Sequence, residues 1–160
     1  MKAFSYADGY YDPQDAEFRG FSLIEQTLPA HTTEETLFHQ DAYLRGRERQ
    51  VDHKDPADKI LSRTSLTWSA DTQYGAARFV KLRTNRAEHF YSPSVVVQDD
   101  YGYSDTHGQV VSQARSGTGA EAVTTTYGFR NYGFWMWRPE RETLAGSASG
   151  LVRDTFFDYD

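Results

Sequence analysis

Apolar and aromatic positions alternate with polar ones along most of this chain, and the alternation has a period of two. Phe21-Ser22-Leu23-Ile24-Glu25-Gln26 reads as a strand closed by Pro29. Ile60, Leu66 and Trp68 share one face of another, with small hydroxyl residues between them. Arg78 to Leu82 and Glu88 to Tyr91 read as two further strands joined around Thr84-Asn85, and Pro93 separates them from Val95-Val96-Val97. Thr32 to Gln50 is open between two readings. Thr33-Glu34-Glu35 suits the cap of a short helix with Leu37 and Phe38 turned inward, and an irregular crossing loop suits the segment equally. Val51 to Lys59 is highly charged around Pro56 and reads as a solvated loop. The pattern predicts an all-β chain, an antiparallel meander of hairpins with at most one or two short helices between residues 30 and 60.

Near the amino terminus, Gly9-Tyr10-Tyr11-Asp12-Pro13 is followed by Glu17-Phe18-Arg19-Gly20-Phe21. It reads as an aromatic strand end, a Pro/Asp turn, and an Arg-Gly hinge into the Phe21 strand. Gly20 is expected at a positive φ or where a Cβ would clash, with Arg19 bridging to Asp12 or Glu17. Farther on, Asp100 to Val111 and Thr124 to Gly133 each read as strand, Asp/Gly or Asn/Gly turn, strand; Asp154 to Asp160 begins a third copy. The copies recur at roughly 25 to 30 residues, within the range of repeat architectures. A lone hairpin cannot bury its apolar face, but a neighbour laid beside it extends the sheet.

These residues carry a resemblance. Tyr10, Tyr11, Asp12, Phe18, Arg19, Gly20 and Phe21 resemble a signature of the B component of insecticidal toxin complexes (Tc toxins), in its middle/C-terminal region. That component has relatives among SpvB-like and Rhs/YD-repeat shell proteins. Thr36-Leu37-Phe38-His39 and Tyr43 to Arg49 resemble two further stretches of the family, although Gln40-Asp41 stand where it usually has Thr-Gly. The resemblance is densest over residues 4–50 and looser from 95 onward; residues 52–90 carry strand pattern and little motif. It implies residues 1–160 as a single β-rich segment of a larger shell, with 1–50 as the signature region and 95–160 as YD-repeat-like hairpins. It further implies a non-catalytic wall that encloses a toxic polypeptide, with other B-component segments and the C component as partners. Such a protein would be made in the cytoplasm and exported or released within a secreted complex.

Composition narrows the alternatives. Aromatics make up 15% of the 160 residues, which suits half-buried pleated surfaces, and the length suits a sizeable core. A net charge of −6 without a basic stripe argues against nucleic acid or direct membrane insertion. There is no Cys, so thiol nucleophiles, disulfides and Cys-ligated zinc are excluded. No apolar run approaches the ~20 residues of a membrane-spanning helix, and Met1-Lys2-Ala3-Phe4 lacks a signal-peptide pattern. The chain reads as a segment of a longer architecture, with an exposed or poorly paired edge at Phe156 to Tyr159.

Candidate chemistry is thin. The five His show no ligand spacing, so no metal or other cofactor is expected, nor any catalytic residue. Asp52-His53-Lys54-Asp55 reads as a solvated turn, and Asp99-Asp100 as turn-forming carboxylates. Gly117-Thr118-Gly119 lacks the Lys-Ser/Thr of a phosphate loop, and Ala145 to Gly150 is a small-residue linker. Trp135 and Trp137 fall on one face of an expected strand. Packing beneath a neighbouring hairpin is one use for them; the other is a carbohydrate- or surface-binding platform on a β-sandwich module.

Overall fold

The computed structural model describes residues 2–74 and 77–159. Met1, which opens the expected 1–50 and 1–160 ranges, and Asp160, the last residue of the third expected hairpin copy, lie outside them. Contacts divide the chain into two units, Met1–Val96 and Val97–Asp160.

The first unit is a meander of six strands: β1 (Ala3–Asp12), β2 (Glu17–Thr27), β3 (Thr33–Phe38), β4 (Glu48–Lys54), β5 (Ile60–Tyr74) and β6 (Ala77–His89). Each strand pairs antiparallel with the next. The second unit continues the pattern with β7 (Val95–Tyr103), β8 (Val110–Gly117), β9 (Ala120–Asn131), β10 (Trp137–Gly146) and β11 (Val152–Phe156). A single 3-10 turn at Pro29–His31 is the helical element among the described residues. The all-β, antiparallel hairpin architecture is therefore observed.

Three local readings are corrected. Thr33–Phe38, read as a helix cap or a loop, is strand β3, because Thr36 and Leu37 find cross-strand partners in β2 and β4. Val51–Lys54, read as solvated loop, is the end of β4; its charges are matched by neighbours on adjacent strands rather than by water. Thr84-Asn85 makes no turn. Both lie inside the single strand β6, opposite Thr67 and Leu66.

The expected core is also absent: among the described residues no hydrophobic side chain is buried, and the buried polar and charged positions are Asp12, Thr36, Asp52, Lys81 and Asp99. Most domains hide apolar surface between two packed layers. Here the described strands of each unit pair side by side in a sheet without burying a hydrophobic side chain, so length alone misjudged the core.

Residues directly opposite on adjacent strands share a face, which sorts the first unit into two surfaces. One row runs Ser5, Glu25, Glu35, Asp52, Arg63, Glu88. The row beside it, on the other face, runs Tyr6, Ile24, Thr36, Val51, Thr64, Ala87. The second unit carries Tyr101, Gln113, Thr125, Leu144 and Arg153 on one face. Gly102, Ser112, Thr126, Thr143 and Asp154 lie on the other.

Candidate functional site

The signature residues converge on the β1–β2 hairpin. Asp12 turns its carboxylate back on the chain, accepting the Gln14 N–H at 2.8 Å and the Asp15 N–H at 3.3 Å. These backbone donors, foremost Gln14, outweigh the cost of burial and with Arg19 hold the carboxyl below its ordinary range. Arg19 lies across the turn, 2.6 Å from Asp12 and 2.5 Å from Asp15, with only 9% of its side chain exposed. Glu17, the other expected partner, pairs instead with Arg45 of the β3–β4 loop.

Gly20 has φ +89°, but it sits inside β2 rather than at a hinge before it. No atom lies within 4 Å of where its Cβ would be, so the backbone angle and not a clash calls for glycine. Gln40, from the β3–β4 loop, donates to the carbonyls of Asp8 at 2.7 Å and Gly20 at 2.9 Å. It thus ties two adjacent strands together where positive φ at Asp8 and Gly20 disturbs the ladder. Asp41 caps the next turn by accepting the Tyr43 and Leu44 N–H groups. The Gln40-Asp41 departure from the family pattern therefore has a local structural use.

Gly9 plays a different part. A Cβ there would lie 3.1 Å from the Phe21 ring and 3.3 Å from that of Phe18, so the bare backbone is the floor under both. Phe18 meets Phe21 edge-on at 5.4 Å, and Tyr6 approaches Phe21 at 5.2 Å. Tyr10, Tyr11, Phe18 and Phe21 are all exposed.

Sequence reasoning missed a recurring Arg–Asp fork. Arg63 on β5 donates Nε and Nη2 to the two oxygens of Asp52 on β4, each at 2.7 Å. Arg115 on β8 grips Asp99 on β7 at 2.7 and 2.9 Å, and Arg141 on β10 grips Asp154 on β11 at 3.1 and 2.8 Å. Asp52 and Asp99 are only 2% and 6% exposed. Reading them as solvated turns is corrected: both are mid-strand carboxylates, and the facing guanidinium makes their burial tolerable. Burial raises the Asp52 carboxyl, but the Arg63 hydrogen bonds and charge, helped by Gln50 and Lys54, bring it below the usual value. At Asp99 the Arg115 fork dominates over burial and has the same effect. The signal was available as Asp and Arg in facing register, but only once β4 had been read as a strand.

Trp135 and Trp137 do not share a strand face. Trp135 lies in the β9–β10 turn and is 87% exposed, whereas Trp137 opens β10 and stacks on His107 at 4.7 Å. His107 also contacts Phe129, at 4.9 Å. Beside them the second unit has an open groove of about 420 Å³ lined by Tyr101, Val110, Gln113, Tyr127, Phe129, Pro139 and Phe157. Among the described residues no cluster of His, Asp and Glu is arranged to hold a metal ion, and no helix is long and apolar enough to cross a membrane.

Comparison with known proteins places this geometry. Residues 1–50 match the family model of the insecticide toxin TcdB middle/N-terminal region. The resemblance to the B component of Tc toxins is shown. The matched region is the middle/N-terminal one, which corrects the middle/C-terminal placement of the motifs. The crystal structure of TcdB2-TccC3-Cdc42 shares the fold at TM-score 0.68 with 11% identity over 97% of this chain. TcdB2-TccC3 without its hypervariable C-terminal region gives 0.69 at 11% identity, again over 97% of this chain. The Photorhabdus luminescens Tc holotoxin pore gives 0.68 at 11% identity over 94%. In each case the chain spans 12% of the matched chain's length. At such identity the likeness is one of fold. Comparison with curated proteins gives no match.

Proposed function

We propose that this segment is a non-catalytic stretch of wall in a toxin-complex shell that encloses a toxic polypeptide for delivery. The observation that carries the reading is an antiparallel sheet with no buried hydrophobic side chain among the described residues, in a chain whose fold matches TcdB2-TccC3 structures over 97% of its length. A sheet of this kind lacks a buried core of its own, and flanking strands supply what it lacks. Its partners are then other segments of the B component and a C component, and the protein is made in the cytoplasm and leaves within a secreted complex. Within the wall, the Arg–Asp forks and the Gln40 clamp fix strand register without a core.

The test is co-expression of the full B-type protein with a C-type partner carrying its terminal segment, followed by protease challenge. An intact wall leaves the enclosed segment uncut, and deletion of residues 97–159 exposes it. Equal protection with and without those residues would contradict the proposal. The carbohydrate-platform alternative is disfavoured, because Trp137 is already engaged by His107 and stands apart from Trp135.

A further inference from the structure

The turn between β9 and β10 is built unlike any other among the described residues. Phe134 is 100% exposed and Trp135 87%, with Tyr132 and Met136 also exposed beside them. Phe134 has φ +54°, a left-handed conformation that bulky residues rarely adopt, and Gly133 precedes it at +117°. The turn is nevertheless well tied. Asn131 Oδ1 accepts the Gly133 N–H at 2.8 Å, Met136 N–H reaches the Gly133 carbonyl at 3.0 Å, and Tyr132 N–H reaches that of Met136 at 2.9 Å. Strain held in place by hydrogen bonds around exposed aromatics points to recognition rather than to packing.

The base of the turn is equally unusual. Arg130 and Arg138 are direct cross-strand partners, a like-charge pairing that costs stability. Elsewhere Arg19, Arg63, Arg115 and Arg141 all grip carboxylates. Among the described residues Arg130 and Arg138 have no such partner and lie instead over aromatic rings. Arg130 sits 5.6 Å from the Tyr132 centroid, and Arg138 lies 5.7 Å from Tyr132 and 5.1 Å from Tyr159. Stacking holds each guanidinium while leaving N–H donors at its edge for an incoming carboxylate.

We propose that Phe134 and Trp135 form a preformed knob that inserts into an apolar pocket of a partner polypeptide, with Arg130 and Arg138 gripping carboxylates on the pocket rim. Aromatic, Met and Arg side chains are those enriched where binding energy concentrates, and a rigid knob loses little freedom on docking. A protein partner is favoured over an anionic bilayer because the chain's net charge of −6 opposes approach to negative lipid. The inference rests on the shell reading and adds the contact point.

The experiment replaces Phe134 by the photo-crosslinker benzoylphenylalanine in the full B-type protein co-expressed with its C-type partner. Size-exclusion chromatography first reports whether the complex forms. On irradiation, cross-links are expected at one polypeptide segment with apolar residues flanked by Asp or Glu. Arg130→Glu with Arg138→Glu should lower the yield about tenfold or more, with the complex still formed. A complex that forms without a cross-link, with scattered cross-links, or with a yield indifferent to the charge reversals would overturn the knob proposal and leave the wall reading intact. Binding of the protein to phosphatidylserine/phosphatidylcholine vesicles, abolished by Trp135→Ser, would replace the polypeptide partner by a membrane. Failure of the unmodified protein to form a complex would overturn both readings.

Discussion

At Asp52 a carboxylate almost shut off from water is held chiefly by the guanidinium facing it, with Gln50 adding a third hydrogen bond. Replacing Arg63 by Leu removes both hydrogen bonds of the fork and leaves only Gln50 and the more distant Lys54 charge, and the expected loss is roughly 1–3 kcal/mol in urea unfolding. Replacing Asp52 and Arg63 together by Leu should recover much of it, since no buried charge then remains. The pH dependence follows from the direction of the shifts. Asp52 and Asp99 both have folded-state values below the ordinary carboxylate value, so their contribution is present above the unfolded pKa near 4 and is lost as pH falls through the folded value. Stability measured from pH 7 to about pH 5 should therefore be flat in this respect and fall below about pH 4, less steeply in Arg63→Leu. Gly20 makes a separate case. Its φ of +89° is closed to β-branched residues, so Gly20→Val should cost about 1–3 kcal/mol although the space around it is empty. An unchanged melting temperature in Gly20→Val would refute the backbone explanation.

Across β2, β3 and β4, Glu25, Glu35 and Asp52 stand side by side on one face, an arrangement that repels unless cations intervene. Lys54 supplies one, 2.9 Å from Glu35 and 3.1 Å from Asp58. Lys54→Met should destabilise by about 1 kcal/mol at pH 7, with the deficit narrowing at high salt as the charges on this face are screened. A deficit independent of salt would show that Lys54 acts through its alkyl stem alone. This charged face also explains what the sequence concealed. Strands such as Phe21 to Gln26 and Val95 to Val97 were legible from their apolar, β-branched and aromatic positions. β3 and β4 were not, because nearly half of their positions are Glu, Asp, Lys or His, most of them matched by partners far away in sequence. Composition signals solvation there, whereas cross-strand pairing supplies order. The positive φ of Gly20 and the Asp12–Arg19 bridge were readable from local spacing; the Gln40 clamp, reaching back 32 residues to Asp8, was not.

For the molecule as a whole, the distinctive property is polar order without a buried apolar core among the described residues. Hydrophobic burial is the main favourable term in folding, and cross-strand ion pairs replace little of it. The outermost strands sharpen the point: all five residues of β11 are exposed, and β1 pairs on one side with β2. Edges of that kind are templates for further strands. The family likeness of residues 1–50 was legible because the signature is local, whereas the missing core was invisible because composition and length resemble those of an ordinary domain. Hydrogen exchange on the chain alone and on the same residues within the assembled complex tests the wall reading most directly. The expected result is weak protection in the isolated chain, with amides of β1, β11 and the Tyr101–Tyr127 face gaining protection several orders of magnitude on assembly. Strong protection in the isolated chain, unchanged by assembly, would show a self-sufficient domain and contradict the wall.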